Sequence, residues 1–186
     1  KSHKNYGTRK IKVELSSLGI VASRRRIGES MKRLNLVSNY TKRNFKNYYK
    51  HTSKSDIENI VDRKFDNRRP LEVLVSDLTY VRMLGKWIYI CLVTDLSNRE
   101  IVAYSCGKNK DAELVSKALH QSNINFKKVK IFHTDRGKGF VNTKLDEFLN
   151  AFKIQRSLSQ AGSPHDNAVS ESLYSILKIE LLNNLK

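Results

Sequence analysis

The sequence predicts an α/β domain, a mixed sheet flanked by helices, preceded by a small all-α domain. Three observations carry this. Apolar residues recur at helical spacing up to Leu34 and switch to strand-like runs from Leu71 onward. Two of those runs, Val73-Leu74-Val75-Ser76-Asp77 and Val129-Lys130-Ile131-Phe132-His133-Thr134-Asp135, end on an aspartate. The charge changes at the same boundary: residues 1–70 hold 19 Lys or Arg against 6 acids, and residues 71–186 hold 16 against 12.

At 186 residues and 39% apolar content the chain can bury one good core and a small satellite. Its formal charge of +17, concentrated at the front, suits a polyanion, because each neutralised phosphate releases counterions. No apolar run approaches the roughly 20 residues that span a bilayer, and no signal peptide is visible. A membrane partner is not expected. Cys91 and Cys106 sit in strand-like runs as small hydrophobes, which fits a reducing, cytoplasmic setting. The five histidines show no zinc spacing.

In chain order, Ile11, Leu15 and Leu18 define a helix from Thr8 that Gly19 stops. Ser23 caps a second helix carrying Ile27, Met31 and Leu34. Helix, glycine turn and helix over residues 1–37 read as a helix-turn-helix DNA-binding module. Arg24, Arg25 and Arg26 stand at the positive end of the second helix dipole, where cations are disfavoured, so phosphates or base edges are expected to hold them. Lys32 and Arg33 extend the same DNA-facing set, and Gly28 is expected to disturb the helix.

Residues 38–70 read as a basic linker. Tyr40, Phe45, Tyr48 and Tyr49 alternate with Lys42, Arg43, Lys46 and Lys50, either to track nucleic acid or to tether and pack on the next domain. Ile57, Ile60, Val61 and Phe65 predict one short helix before Pro70.

From residue 71 to 186 the period reading gives strands at 71–76, 86–94 and 99–106, turned by Gly85 and Ser97-Asn98. A helix at 111–122, a strand at 128–134, a helix at 143–152, a short strand at 154–158 and a last helix complete the series. Lys86 to Thr94, apolar on both faces, reads as a central strand. On the last helix Asn167, Glu171 and Lys178 share a polar stripe, and Val169, Leu173, Ile176 and Leu177 gather elsewhere as its core side. Three strands, helix, strand, helix, strand, helix is the order of the ribonuclease-H-like fold.

Asp77, Asp135 and Glu171, with 35 residues between the last two, resemble the acid signature of retroviral-integrase-like transposases. The words Ser76-Asp77-Leu78-Thr79-Tyr80, Asp95-Leu96-Ser97-Asn98-Arg99, His133-Thr134-Asp135-Arg136-Gly137 and Ser163-Pro164-His165-Asp166-Asn167-Ala168-Val169-Ser170-Glu171-Ser172 point more narrowly to insertion-sequence transposases of the IS-three family. The resemblance covers nearly the whole chain.

It implies that Asp77, Asp135 and Glu171 are both catalytic residues and ligands of two Mg²⁺ or Mn²⁺ ions, an all-oxygen set suited to such cations. It implies DNA cleavage and strand transfer at insertion-sequence ends and target, by a homo-oligomer on duplex DNA in the bacterial cytoplasm, associated with the nucleoid. Asn167 and Lys178 join the expected DNA contacts, Lys178 about 10 Å beyond Glu171 along the helix axis. Asp95 and Asp166 are rival ligands: Asp95 belongs to a turn word, and Asp166-Asn167 reads as a helix cap. His133 and His165 flank the site, with a supporting or packing role expected.

The chain departs from the family pattern at Leu74, where relatives usually have Trp, and at Lys138, Gly139 and Phe140 after the second aspartate. The family also continues past Lys186, so a missing carboxyl-terminal part is expected. Two other functions fit the same residues: an inactive DNA-binding fragment or regulator, and a nuclease of the same fold.

Overall fold

A computed structural model describes residues 5–41 and 57–182, so Lys42, Arg43, Phe45, Lys46, Tyr48, Tyr49 and Lys50 of the basic and aromatic stretch lie outside the described residues. Two compact units divide the chain: residues 5–41 with 176–182, and residues 57–175.

The first unit is built on α1 (Thr8–Ser17) and α2 (Arg24–Arg33). Gly19, at φ +75°, lets α1 close with Ile20 N donating to Leu15 O at 2.8 Å. Asn35 does the same for α2, with Leu36 N donating to Met31 O at 2.8 Å. The Ser23 hydroxyl accepts from Arg26 N at 3.2 Å, the expected cap. Gly28 does not interrupt α2, which runs through it. Residues 176–182 join this unit through Ile179 O, which accepts from the Asn5 side chain at 3.1 Å, and through Glu180, which pairs with Lys10 at 2.5 Å.

The second unit is a five-stranded sheet of β1 (Val73–Met83), β2 (Lys86–Asp95), β3 (Ile101–Gly107), β4 (Ile131–Thr134) and β5 (Gln155–Leu158), ordered β3-β2-β1-β4-β5. The first three strands form an antiparallel meander, and β4 and β5 run parallel to β1. Around it lie α3 (Ala112–His120), α4 (Thr143–Ala151) and the part of α5 (Ala168–Glu180) up to Ser175. This is the ribonuclease-H-like α/β fold. Asp111 caps α3 and Asn142 caps α4 through side-chain bonds to Leu114 N and Leu145 N.

On one sheet face Leu74, Leu78, Cys91 and Val93 pack with Leu114, Val115, Leu119, Leu145 and Leu149. On the other, Val73, Val75 and Leu96 pack with Val61, Phe65 and Val169. Burial of each such side chain contributes about 1.5–3 kcal/mol.

β2 is a central strand as expected, paired with β1 on one side and β3 on the other. Three sequence expectations are corrected. The first strand does not end at Ser76, because pairing with β2 continues from Asp77↔Leu92 to Met83↔Lys86 and turns at Leu84 and Gly85, both at positive φ. Residues 57–66 form no helix: Asp62 and Arg63 sit at φ +44° and +57°, which breaks a right-handed run. Cys106 is exposed, whereas Cys91 is buried as expected.

Candidate active site

Parallel pairing of β1 with β4 stops at Ser76↔Thr134. Asp77 and Asp135 are therefore the next residues on two adjacent strands, whose axes lie about 4.8 Å apart. The chain achieves this because β4 ends where Asp135 turns into Arg136-Gly137, while β1 is carried past Asp77 by its other neighbour.

Both aspartates are half-buried and partly used by the backbone. Asp77 Oδ1 accepts from Leu78 N at 2.7 Å, and Asp135 Oδ1 accepts from Gly137 N at 2.8 Å. A Cβ on residue 137 would stand 2.8 Å from Asp135 Oδ1, so glycine is what permits that contact. The α5 helix lies over the same strands. The Tyr174 hydroxyl donates to Asp77 O and accepts from Leu92 N at 3.1 Å. Glu171, three residues earlier, is exposed in the first turn.

The electrostatics join the three acids. Burial first, then the charge of Asp135 and more weakly that of Glu171, push the Asp77 carboxyl up to about 7, against the Leu78 N–H and the Lys110 ammonium, which pull it down. As the side chains stand, no three His, Cys, Asp or Glu side chains among the described residues come close enough to enclose a metal ion. The donor set nevertheless fits a hard divalent cation. Both aspartates commit only Oδ1 to the bonds above, Glu171 is exposed, and Asp77 is costly to ionise without a counter-charge.

The rival acids are committed elsewhere. Asp95 accepts from Leu71 N at 2.8 Å and Ser97 N at 3.0 Å, three residues along the sheet from the Asp77 row, about 10 Å away. Asp166 accepts from Arg63 at 2.7 Å and from Asn59 and Gln160 N, each at 2.9 Å. Burial alone would raise its pKa, but these donors hold it below the ordinary carboxylate range.

His133 is fully buried and kept neutral, its pKa lowered to about 4 by burial. His165 is exposed. Asn167, expected on the DNA-facing stripe, is instead 7% exposed, and its Oδ1 has no hydrogen-bond partner among the described residues. The core side of α5 is likewise corrected: Ser170 and Tyr174 are its buried residues, and Ile176 is exposed. Lys178 is half-buried in the last turn.

In the first unit Arg24, Arg25, Arg26, Lys32 and Arg33 are all exposed, Arg25 paired with Glu29 at 3.1 Å. Arg24 and Lys32, with Arg9 and Lys10, line a groove of about 690 Å³ whose wall also includes Gly7 and Gly28. Sequence reasoning missed Tyr174, Lys110 and Arg63. Tyr174 was legible only as an apolar residue one turn beyond the glutamate, and the other two carry no spacing signal.

The sheet order and its flanking helices define a ribonuclease-H-like α/β domain, and comparison with known proteins narrows the class. Residues 67–164 match the integrase core domain (rve). The chain is 28% identical to the transposase for insertion sequence element IS904 of Lactococcus lactis, over 96% of this chain and 72% of that protein. It is 30% identical to the insertion element IS600 uncharacterized 31 kDa protein of Shigella sonnei, over 100% and 69%. To transposase InsF for insertion sequence IS3A of Escherichia coli it is 26% identical, over 98% and 64%.

The same fold occurs in the HTLV-2 integrase catalytic core domain solved with magnesium, at TM-score 0.51 and 21% identity, covering 62% of this chain and 72% of that one. It recurs in a simian T-cell lymphotropic virus intasome, at TM-score 0.55 and 12% identity, covering 93% and 55%. The chain belongs to the integrase core domain family, among its insertion-sequence transposases. No helix among the described residues is long and apolar enough to cross a membrane.

Proposed function

We propose that this chain cuts DNA at the ends of an insertion sequence and joins the freed 3′-hydroxyl to another phosphodiester. The carrying observation is that Asp77 and Asp135 are adjacent at the end of the β1–β4 pairing and that Asp77 feels the charge of Glu171. Asp77, Asp135 and Glu171 would hold two Mg²⁺ or Mn²⁺ ions, which supply Lewis-acid stabilisation of the attacking and leaving oxygens. The carboxylates offer hard oxygens at a fixed strand boundary, and Tyr174 fixes α5 against that boundary so that Glu171 works from a rigid element.

The front unit supplies DNA affinity. Arg24, Arg25, Arg26, Lys32 and Arg33 are exposed cations on one short helix, and Arg9 and Lys10 add to them across the groove. Lys178, on the same helix as Glu171, grips a phosphate near the one being cut. A homo-oligomer on DNA would bring two element ends to one target.

The test uses a full-length transposase and labelled element ends. Asp77→Asn, Asp135→Asn and Glu171→Gln should each lower cleavage and strand transfer by about two orders of magnitude or more in Mg²⁺ while DNA affinity stays within about twofold. A variant with near-normal strand transfer removes its residue from the site. Binding without any metal-dependent cutting by the parent protein identifies a regulator, and cutting without joining identifies a nuclease.

A further inference from the structure

Residues 57–63 lie outside the span matched to the integrase core, yet they touch each segment that leads to two of the three acids. Arg136, next to Asp135, donates through Nη2 to Ile57 O at 3.2 Å and through Nε to Ser159 O at 2.9 Å. Leu158, the last residue of β5, donates its N–H to Glu58 O at 3.2 Å. The Ser157 hydroxyl accepts from Ile60 N at 2.9 Å and faces His133 Nδ1 at 2.8 Å.

With its lone pairs engaged by the N–H groups of Ile60 and Val61, the Ser157 hydroxyl donates a hydrogen bond to His133 Nδ1. His133 Nε2 then carries the hydrogen and donates it to Asp166 O at 3.2 Å. The Asp166 carboxylate, 2% exposed, closes the ring: Arg63 Nε reaches Oδ1 at 2.7 Å, and Asn59 reaches Oδ2 at 2.9 Å. Arg63 Nη2 also donates to the Ser163 hydroxyl at 2.9 Å.

Backbone strain points the same way. Asp62 and Arg63 are consecutive non-glycine residues in the left-handed region, a conformation that persists only where the surroundings over-determine it. The Arg63 side chain is what Asp166 holds, five residues before Glu171. Asp166 lies in a 3₁₀ turn, Pro164–Asn167, that runs directly into α5, so fixing it fixes where α5 begins.

We propose that residues 57–63 form a strap that positions the carboxylates, with Arg63 acting through Asp166 as a positioning residue for Glu171. Through Arg136, Ile57 does the same for the turn after Asp135. The proposal rests on the reading of the three acids given above, but its structural half stands apart from it.

The experiment compares the parent full chain with Arg63→Ala, Arg63→Lys and Lys64→Ala, the last removing a neighbouring cation whose ammonium pairs with exposed Asp62 at 3.3 Å. Amide hydrogen exchange is read at residues 168–172 and, as an internal reference, in α3, alongside single-turnover cleavage and DNA affinity. In Arg63→Ala, exchange at 168–172 should rise about tenfold with α3 unchanged, since a tether of local structure is removed. Cleavage should fall about tenfold or more with DNA affinity within about twofold, the pattern expected when a reacting group is no longer held in place. Arg63→Lys should recover part of both, and Lys64→Ala should match the parent.

Unchanged exchange in Arg63→Ala overturns the proposal, and so does a fall in DNA affinity without a change in exchange, which makes Arg63 a DNA contact. A uniform rise in exchange across α3 and α5 also overturns it, as a general loss of stability. Raised exchange at 168–172 in a chain whose parent cuts no DNA supports the strap and overturns the reading of the acids.

Discussion

The hydroxyl of Tyr174 donates to the backbone carbonyl of Asp77 while accepting from Leu92 N at 3.1 Å, so one side chain of α5 fastens the helix to both β1 and β2 beside the candidate acids. Burial first, and the charge of Asp77 next, keep this phenol protonated by raising its pKa far above the usual range. Tyr174→Phe leaves two buried backbone groups short of a partner and should cost about 1–3 kcal/mol, read by urea denaturation. Because Glu171 lies one turn away, cleavage should fall as well, with little change in DNA affinity. Stability equal to the parent's would mean that the strands satisfy those groups without the phenol.

Asp77 predicts a pH dependence with a definite sign. Its folded pKa of about 7 lies above its ordinary value of 3.8, so between these limits the folded chain binds more protons than the unfolded one. In the absence of divalent metal, stability is therefore full below about pH 4 and is lost as the pH rises towards 7. Asp77→Asn removes that slope. It should match the parent near pH 4 and exceed it at pH 8 by roughly 1–2 kcal/mol, after allowance for solvent screening. Denaturation midpoints from pH 4 to 8 in a chelator check this, and a variant less stable than the parent at pH 8 contradicts it.

Element order was legible because the first four strands carry mostly apolar runs and the caps Ser23, Asp111 and Asn142 are local signals. What escaped depends on partners distant in sequence. The extension of β1 past Asp77 follows from Trp87, Tyr89 and Cys91 standing opposite Arg82, Tyr80 and Leu78, which no reading of Val73 to Asp77 alone contains. Ile57, Ile60, Val61 and Phe65 have helical spacing, yet only Val61 is fully buried, and Arg63 is drawn away by Asp166, 103 residues later. On α5 the helical wheel gave the right stripe to Glu171 but turned Asn167 outward, because the 3₁₀ turn before Ala168 changes the phase.

Gly28 was expected to weaken α2, and the structure shows how little its lack of a side chain is needed. A Cβ there would meet only Thr8 Cγ2 at 3.6 Å, an ordinary contact, and its φ is not positive. Gly28→Ala should therefore stabilise the front unit by about 0.5–1 kcal/mol, seen as a shift in its unfolding midpoint. Destabilisation would show that α1 and α2 pack more closely than the Thr8 contact allows.

For DNA affinity the expectation is one of slope. Replacing Arg24, Arg25 and Arg26 together by Ala should weaken duplex binding and lower the slope of log affinity against log salt by about 1–3, roughly one unit for each phosphate left without its cation. Lys178→Ala should lower it by about one. Titrations at two salt concentrations decide, and an unchanged slope makes the cations ordinary surface charge.

Gly137 offers the sharpest test of how the second aspartate is aimed. Its φ is not in the left-handed region, so an alanine there costs the backbone little. The conflict is with the carboxylate: the new Cβ would stand 2.8 Å from Asp135 Oδ1 and 3.3 Å from Oδ2. The Asp135 side chain must rotate, and it then loses the bond from Gly137 N. Gly137→Ala should thus reduce cleavage by about 10- to 100-fold, because a misplacement near 1 Å is enough for such a loss. DNA affinity should stay within about twofold, since no cation is removed, and the stability cost should not exceed about 1–3 kcal/mol. Normal cleavage in Gly137→Ala would mean that Asp135 acts from a rotamer other than the one Gly137 holds.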